Sequence, residues 1–356
     1  MKTIFCSLLS IFNTTIHPQT DTSKTALNLS GYIETYYAYD FNNPANHTRP
    51  TFVYSHNRHN EINLNLGFIK AAYEKNSVRA NLALMTGTYA NANLAAEPSV
   101  LKNILEANVG IKISSNKNLW LDAGIFAAHI GFESAVSKDC WTLSRSILAD
   151  NSPYYESGAK INYTSDNSKW FLSALVLNGW QRIERVDGNN MPAFGHQITY
   201  KPSSKVTLNS SSFVGSDSPD SLRLVRYFHN FYGIFQIHQK LGLILGFDIG
   251  FQQKSLKSKQ YTAWFSPVLI AKFLYSDKLN FSTRTEYYAD KSQVIVSTGS
   301  QNGFQTYGYS VNIDYNITEK LVFRSEYKVL HSKDKIFAEG TKTNNHLLLT
   351  SLAISF

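Results

Sequence analysis

From about residue 27 to the end of the chain, apolar and polar residues alternate with a period of two. This period predicts β-strands, because successive side chains of a strand point to opposite faces. The same alternation runs through 60–68, 107–113, 241–252, 280–289 and 320–330. The segment 305–316 is typical, since its apolar residues share one face: Tyr307, Tyr309, Val311, Ile313 and Tyr315. The pattern predicts an all-β protein.

The predicted strands are about 10–14 residues long, whereas strands of soluble proteins are usually about 5–6 residues long. The stretches between them alternate in length. Short polar turns lie at 76–77, 115–118, 166–168, 202–204, 239–240, 276–278 and 316–319. Longer polar stretches lie between these turns, at roughly 42–57, 91–102, 134–155, 185–192, 216–224, 255–259, 291–301 and 333–343. Seven short turns and eight longer loops separate sixteen strands.

Long strands with two kinds of connection predict a transmembrane antiparallel up-and-down β-barrel of about 16 strands, with short periplasmic turns and longer external loops. A closed barrel satisfies its backbone donors and acceptors without water, so its outer face can contact lipid. At this strand number, wall side chains do not fill the lumen, which holds water. We therefore expect a polar inward face that includes Asn63, Asn65, Lys160, Asn162, Asp248 and Asp314.

Composition narrows the class of protein further. The 356 residues are 43% hydrophobic, 13% aromatic and only 17% charged, which argues against a disordered chain. No run of 18 apolar residues occurs, so a helical membrane protein is excluded. The net charge of +8 comes from scattered Lys and Arg residues. Without a basic stripe, nucleic acid is not an expected partner.

The two ends of the chain carry targeting features. Lys2 and the apolar stretch 4–12 match the secretory pattern, although no A-x-A-like cleavage triplet follows. We expect a signal peptide at residues 1–19 and one outer-membrane barrel domain at 20–356. At the other end, Leu352, Ile354 and the terminal Phe356 alternate along one face. This ending resembles the signal that the barrel-assembly machinery reads, which makes that machinery an expected partner during insertion.

Known catalytic and cofactor motifs are absent from the sequence, so we expect no cofactor and no enzyme activity. Ser114–Lys117 matches S-x-x-K by chance within a predicted turn. His56 and His59 lack a third metal ligand, and we expect no metal site. His129 with Ser144 is one pairing that a barrel hydrolase could use, although nothing in the sequence specifies it.

Charged residues on the predicted inward faces are candidates for lining the pore. They lie on two hairpins and comprise Arg284, Glu286, Arg324, Glu326 and Lys328. They could set the electric field on permeating solutes, or pair with one another and stiffen the wall. The longest connection, 134–155, is too apolar for a solvated loop, and 143–149 could form a helix. We expect this loop to fold inward and narrow the pore, with Asp139, Trp141 and Arg145 at the constriction.

Four segments carry a likeness to a known family. They are GYIETYYAYDFN at 31–42, the segment 54–74 that begins YSHNRHNE, the segment 118–167 that begins NLWLDAGIF, and RYFHNFYGIFQ at 226–236. These segments resemble the OmpL-like putative β-barrel porin-2 family, which is found largely in Bacteroidetes. The resemblance covers nearly the whole chain from about Leu27. It implies an outer-membrane barrel with a pore, and it brings no established substrate or catalytic residue.

The sequence therefore predicts an outer-membrane porin that passes small hydrophilic solutes by passive diffusion, with lipid around it. An excess of Lys and Arg favours anions. A homo-oligomer is an open alternative to a single barrel. Two other functions stay open: a surface binding or adhesion barrel that uses its external loops, and, less favoured, a barrel lipid hydrolase.

Overall fold

The computed structural model describes residues 26–356, so the expected signal peptide at 1–19 lies outside the described residues. Sixteen strands pair in sequence order, and β1 pairs with β16 to close an antiparallel barrel. The strands are β1 (Leu27–Asp40), β2 (Ile62–Lys75), β3 (Val78–Thr86), β4 (Ile104–Lys112), β5 (Asn118–Ala127), β6 (Tyr155–Thr164), β7 (Trp170–Leu177), β8 (Ala193–Ser203), β9 (Val206–Gly215), β10 (Arg226–His238), β11 (Leu241–Gln253), β12 (Tyr261–Leu274), β13 (Leu279–Asp290), β14 (Phe304–Asn316), β15 (Leu321–Ser332) and β16 (Asn344–Ser355). The helices are short: α1 (Thr88–Asn93) and α2 (Ile147–Asp150).

The barrel confirms the predicted fold class and the predicted strand number. Each predicted short turn joins two strands at one end of the barrel, the periplasmic end in outer-membrane barrels. The external loops used below are L1 (41–61), L2 (87–103), L3 (128–154), L4 (178–192) and L8 (333–343). Among residues 26–356, no helix is long and apolar enough to cross a membrane.

Alternation along the strands separates a lipid-facing surface from an inward one. Outward residues are apolar and exposed, as Ile69 (67%), Val109 (64%) and Val311 (58%) show. The β1–β16 seam continues to the end of the chain, where Phe356 exchanges backbone hydrogen bonds with Gly31. The Phe356 ring lies over Gly31, so a larger residue at position 31 would clash with it.

The inward face is less polar than the sequence predicts. Polar inward residues are present, among them Asn162, Asp248 and Asp314. Apolar inward residues such as Trp264 and Ile270 are also buried, and they pack in clusters with residues of the external loops. Phe52 of L1, for example, lies 4.7 Å from the Phe304 ring, centroid to centroid. The expectation was wrong for this part of the lumen, because folded loops rather than water cover the wall there.

Strand length divides the barrel wall into two sectors. The seven consecutive strands β3–β9 have 8–11 residues each. The strands β10–β16, β1 and β2 have 12–14 residues each. The wall formed by β3–β9 is therefore shorter along the barrel axis than the rest. We call it the lower sector, and we call β10–β16, β1 and β2 the taller sector.

Candidate functional site: a loop folded into the lumen

The longest external loop, L3, crosses the lumen and reaches the periplasmic end of the barrel. Lys138 donates from Nζ to the carbonyls of Glu319 (3.1 Å) and Lys320 (3.2 Å), in the turn between β14 and β15. Trp141 packs on Gly242 near the start of β11, where a Cβ would lie 2.5 Å from the ring. Because L3 leaves β5 and enters β6 at the external end, it spans the depth of the barrel.

Arg284 on β13 is the centre of the contact between L3 and the wall. Its Nη1 donates to Thr142 Oγ1 (2.7 Å) and to the carbonyl of Ser144 (2.8 Å). Its Nη2 donates to Glu326 Oε1 at 3.0 Å. Glu326 in turn accepts from the backbone N–H of Ser144 (2.5 Å) and from the Ser144 hydroxyl (2.9 Å). A buried ion pair thus holds both the backbone and a side chain of the loop.

A second ion pair on the same wall holds the next part of L3. Lys328 Nζ lies 3.0 Å from Glu286 Oε1 and donates to the carbonyl of Arg145 at 3.0 Å. Glu286 Oε2 accepts from the backbone N–H of Ile147 at 2.6 Å. This amide begins α2, so the carboxylate lies at the helix N-terminus, where negative charge is stabilising.

Arg324 on β15 is a third wall residue that holds L3, and it lies nearer the periplasmic end than Arg284 and Lys328. Its Nε donates to Asp314 Oδ1 on the neighbouring strand at 2.7 Å. Its Nη2 donates to the carbonyl of Cys140 at 3.0 Å, and its Nη1 donates to the carbonyl of Ser137. The guanidinium therefore joins the wall to two carbonyls of L3.

All five charged residues named from the sequence face inward and meet in one place, and each is 4% exposed or less. They lie beneath L3 along β13 and β15. Their partners within L3 are backbone groups, hydroxyls and one carboxylate, Glu133, whose Oε1 lies 3.9 Å from Arg284 Nη1. The spacing of charges in the sequence does not reveal these contacts.

The three L3 residues expected at the constriction lie in different environments. Arg145 is fully buried and donates to the carbonyls of Ser134 (2.6 Å), Leu143 (2.8 Å) and Ala135 (3.1 Å), so its charge organises the loop itself. Trp141 is 7% exposed. Asp139 is partly exposed, and burial raises the pKa of its carboxyl.

The helix in L3 starts later than the sequence suggests. It covers 147–150, because Ser146 is the N-cap and its hydroxyl accepts from the backbone N–H of Ala149 at 3.1 Å. Asp150 ends the helix inside the barrel, and burial raises the pKa of its carboxyl to about 7. Burial also raises the pKa of the Cys140 thiol to about 11, so this cysteine is a poor nucleophile at neutral pH.

The histidines of L1 serve as structural contacts. His59 accepts at Nδ1 from the backbone N–H of Asp40 at 2.9 Å, and its Nε2 lies 3.1 Å from Asn43 Oδ1. His56 Nε2 lies 3.2 Å from Glu34 Oε1 on β1, and burial lowers the pKa of His56. Within residues 26–356, no group of three or more His, Cys, Asp or Glu residues could hold a metal ion.

The residues considered for hydrolysis are not brought together. His129 Nδ1 lies 2.8 Å from Glu156 Oε2, and His129 Nε2 lies 2.8 Å from the carbonyl of Ser212. Ser144 is bound to Glu326 and Arg284 instead. Ser114 and Lys117 lie in an exposed periplasmic turn.

Two features of the lumen escaped the sequence analysis. The first is a buried junction at Glu34, which accepts from the Ser137 hydroxyl and contacts His56, so that β1, L1 and L3 meet. The second is a set of ion pairs on the opposite wall. Lys70 Nζ lies 2.7 Å from Glu106 Oε2, and Arg79 Nη2 lies 2.5 Å from Asp122 Oδ2. The period-two alternation in β2–β5 marks these four residues as inward, and their opposite charges were the available signal.

Solved porins share this architecture. The anion-selective porin from Comamonas acidovorans aligns with a TM-score of 0.61 at 10% identity, over 93% of this chain and 99% of that chain. The outer membrane channel DcaP of Acinetobacter baumannii aligns with a TM-score of 0.59 at 9% identity, over 93% and 97%. The trimer form of OmpT from Vibrio cholerae aligns with a TM-score of 0.58 at 9% identity, over 93% and 99%. At these identities the likeness establishes the fold. No curated protein matches the chain by sequence.

A family model settles the relationship, because it covers the whole described barrel from residue 26 to residue 356. Its members are outer-membrane barrels of the porin type, so the outer membrane is the location of this protein and channel formation is its function. The chain belongs to the putative beta-barrel porin-2, OmpL-like family.

Proposed function

We propose that this protein is a passive diffusion channel for small hydrophilic solutes and that L3 determines the free cross-section of the pore. The observation that carries the proposal is the path of L3 from the external end of the barrel to Lys138 at the periplasmic turn. A sixteen-stranded barrel without such a loop leaves an aqueous channel that its wall side chains cannot fill. The segment that occupies this space therefore decides what passes.

Buried charges keep the constriction in place. The ion pairs Arg284–Glu326 and Lys328–Glu286 have almost no exposed side-chain surface. Buried ion pairs add specificity more reliably than stability, because desolvation offsets their attraction. An apolar contact alone would allow L3 several positions in the lumen. The two ion pairs restrict it to one of them. No cofactor takes part in this mechanism.

Release of solutes from liposomes tests the proposal. Vesicles that contain the purified protein and are loaded with uncharged sugars of increasing size should release the small ones and retain the large ones. The matched control is vesicles with the same protein unfolded before reconstitution. Retention of the smallest sugar by folded protein would contradict passive diffusion.

A second function, a binding barrel with a blocked lumen, is supported by the packing of L2 against L4. Glu97 of L2 accepts from the Tyr155 hydroxyl (2.9 Å) and from the backbone N–H groups of Ile183 (2.9 Å) and Glu184 (3.2 Å). This contact fixes the loops at the external end into one surface, as a receptor for an external ligand requires. The liposome experiment distinguishes the two functions, since a blocked barrel releases nothing.

We further propose that β3–β5, within the lower sector of the barrel, contact another copy of this chain in a homo-oligomer. Within residues 78–127 the outward side of the wall carries no aromatic side chain. It consists of Val78, Ala80, Leu82, Leu84, Ala107, Val109, Ile111, Leu119, Leu121, Ala123 and Ile125. The taller sector has stacked outward aromatics, such as Tyr287 and Tyr307 at 4.4 Å between centroids. Aromatic girdles mark a surface in contact with lipid head groups, so their absence from β3–β5 favours a protein contact there. On β7 and β8, by contrast, outward Trp170 and Tyr200 stack at 4.2 Å between centroids.

Polar side chains on the outward face of β8–β10 favour a second protein contact beside β3–β5. The Ser212 hydroxyl lies 2.5 Å from His196 Nδ1, and the Ser210 hydroxyl lies 2.9 Å from His229 Nε2. Such groups are costly in hydrocarbon, and a partner subunit would remove them from lipid.

We expect Val109→Arg on the lower sector to separate the subunits in detergent. The matched control is Val311→Arg, an equally outward and similarly exposed residue on β14. Light scattering coupled to gel filtration should give an oligomer mass for the wild type and Val311→Arg, and a monomer mass for Val109→Arg. A wild-type monomer, or equal loss of mass in both variants, would refute this interface.

A further inference from the structure

The two walls of the lumen differ sharply in their contact with water. The ion pairs beneath L3 are fully buried, since the side chains of Arg284 and Glu326 are both 0% exposed. On the opposite wall, the exposures are 27% for Lys70, 21% for Glu106 and 20% for Arg79. Since all of these residues face inward, L3 covers one wall and leaves water against β2–β6.

The accessible wall has two charged rows at different depths. Lys70 is in register with Ala83 of β3, which is in register with Glu106, and this row forms the first ion pair. The second row joins Arg79 of β3 to Asp122. Ala83 and Arg79 are four residues apart on β3, which corresponds to about 13 Å along the strand. A solute that passes along this wall would meet one charged row after the other.

Small and polar groups occupy the space between these rows. Asn81 donates from Nδ2 to Asn108 Oδ1 at 3.0 Å. The next residue in register, Gly124 of β5, has no side chain to enter the lumen. Asn108 itself donates from Nδ2 to the carbonyl of Ile125 at 2.8 Å. This stretch of wall is therefore neutral, polar and partly exposed, as a path for hydrated ions requires.

Among the side chains that water can reach on this wall, cations outnumber carboxylates. Beyond the two ion pairs, Lys160 Nζ lies over the Phe126 ring at 4.1 Å and has no ion-pair partner within 4.0 Å among the described residues. Lys112 is also inward and partly exposed. Glu74, opposite Arg79 at the periplasmic end, is an exposed carboxylate. Two further inward carboxylates are buried, Asp122 against Arg79 and Glu156 against His129. Among the partly or fully exposed groups, four cations, Lys70, Arg79, Lys112 and Lys160, thus face two carboxylates, Glu74 and Glu106.

We infer that permeating ions pass between L3 and the wall of β2–β6, and that Lys70 and Lys160 on this wall set a preference for small anions. This inference rests on the proposed diffusion channel and adds the route and the residues that determine specificity. The charged residues beneath L3 hold the loop and do not contact the permeating ion.

Thiol labelling during single-channel recording tests the route. Asn81→Cys lies on the path, and Ser310→Cys lies on β14 beneath L3, where Ser310 is 3% exposed. A negatively charged methanethiosulfonate reagent should reduce the conductance of Asn81→Cys and leave that of Ser310→Cys unchanged. Asn108→Cys provides a second position on the path if Asn81→Cys does not fold. Block of Ser310→Cys with Asn81→Cys and Asn108→Cys unaffected would overturn the route.

The reversal potential in a KCl gradient tests the specificity. We expect wild-type protein to prefer chloride, and Lys70→Gln or Lys160→Gln to lower the chloride-to-potassium permeability ratio by about twofold. The control is Lys117→Gln in an exposed periplasmic turn, which should leave the ratio unchanged. An unchanged ratio in both lumen variants would overturn the assignment of these lysines. If the wild-type protein gave no conductance at all, that result would contradict the proposed diffusion channel, and this inference would fail with it.

Discussion

Replacing residues 136–150 of L3 by a short Gly-Ser linker is expected to raise the single-channel conductance by about two- to threefold, because the loop occupies lumen that wall side chains cannot fill. The replaced segment contains Lys138 at the periplasmic turn and the groups that Arg284 and Lys328 bind. Without it, the wall of β13–β15 would face water. Step conductance of the purified variant in planar bilayers measures the effect.

The matched control for this variant is a linker of the same kind in L8 (334–342), a loop at the external end. Phe337 of L8 packs against Phe52 at 6.2 Å between ring centroids, so that control alters loop packing without opening the constriction. Its conductance should stay within the scatter of the wild type. Equal conductance in the L3 variant and the wild type would show that L3 does not limit the pore.

Arg284→Ala is expected to destabilise the folded barrel by about 3–5 kcal/mol, the usual cost of removing one partner of a buried ion pair. The change leaves Glu326 buried without its cation and removes the donors to Thr142 and Ser144. Loss of these contacts also frees L3, so we expect noisy channels with a variable conductance. The free energy of unfolding in guanidinium chloride and the current variance report the two consequences.

Lys117→Ala is the control for that prediction. Lys117 pairs with Asp166 at 2.8 Å, but both side chains are largely exposed, at 52% and 69%. Exposed pairs are screened by water and usually contribute little to stability. Its unfolding midpoint and its current trace should match those of the wild type. If Arg284→Ala also leaves the unfolding free energy and the current variance unchanged, the ion pairs beneath L3 do not hold the loop.

The barrel was predictable from the sequence because its main determinant is local. Alternation places every second side chain on one face, and the lengths of the turns and loops give the order of strands and the two ends. This reasoning identified Arg284, Glu286, Arg324, Glu326 and Lys328 as inward residues. It also identified L3 as a loop too apolar to lie in solvent.

The partners of those inward charges were not predictable, because they depend on a fold that joins distant parts of the chain. Arg284 binds Ser144, which lies 140 positions earlier in the sequence. The carbonyls and N–H groups of L3 that bind charge look the same in any sequence, since every residue has them. The apolar part of the lumen was missed for a related reason. Inward Trp264 or Ile270 is unexpected in a water-filled barrel, and only the position of the loops shows that they are covered.

The single-channel conductance of the wild-type protein, measured with polyethylene glycols of increasing size, tests the central claim most directly. A barrel narrowed by L3 should give discrete conductance steps. Small polymers should enter the pore and reduce the steps, while polymers above a size limit should leave them unchanged. That limit should rise when residues 136–150 are replaced by the linker. Folded protein that gives no steps in the bilayer, or a size limit that the L3 replacement does not change, would contradict the account.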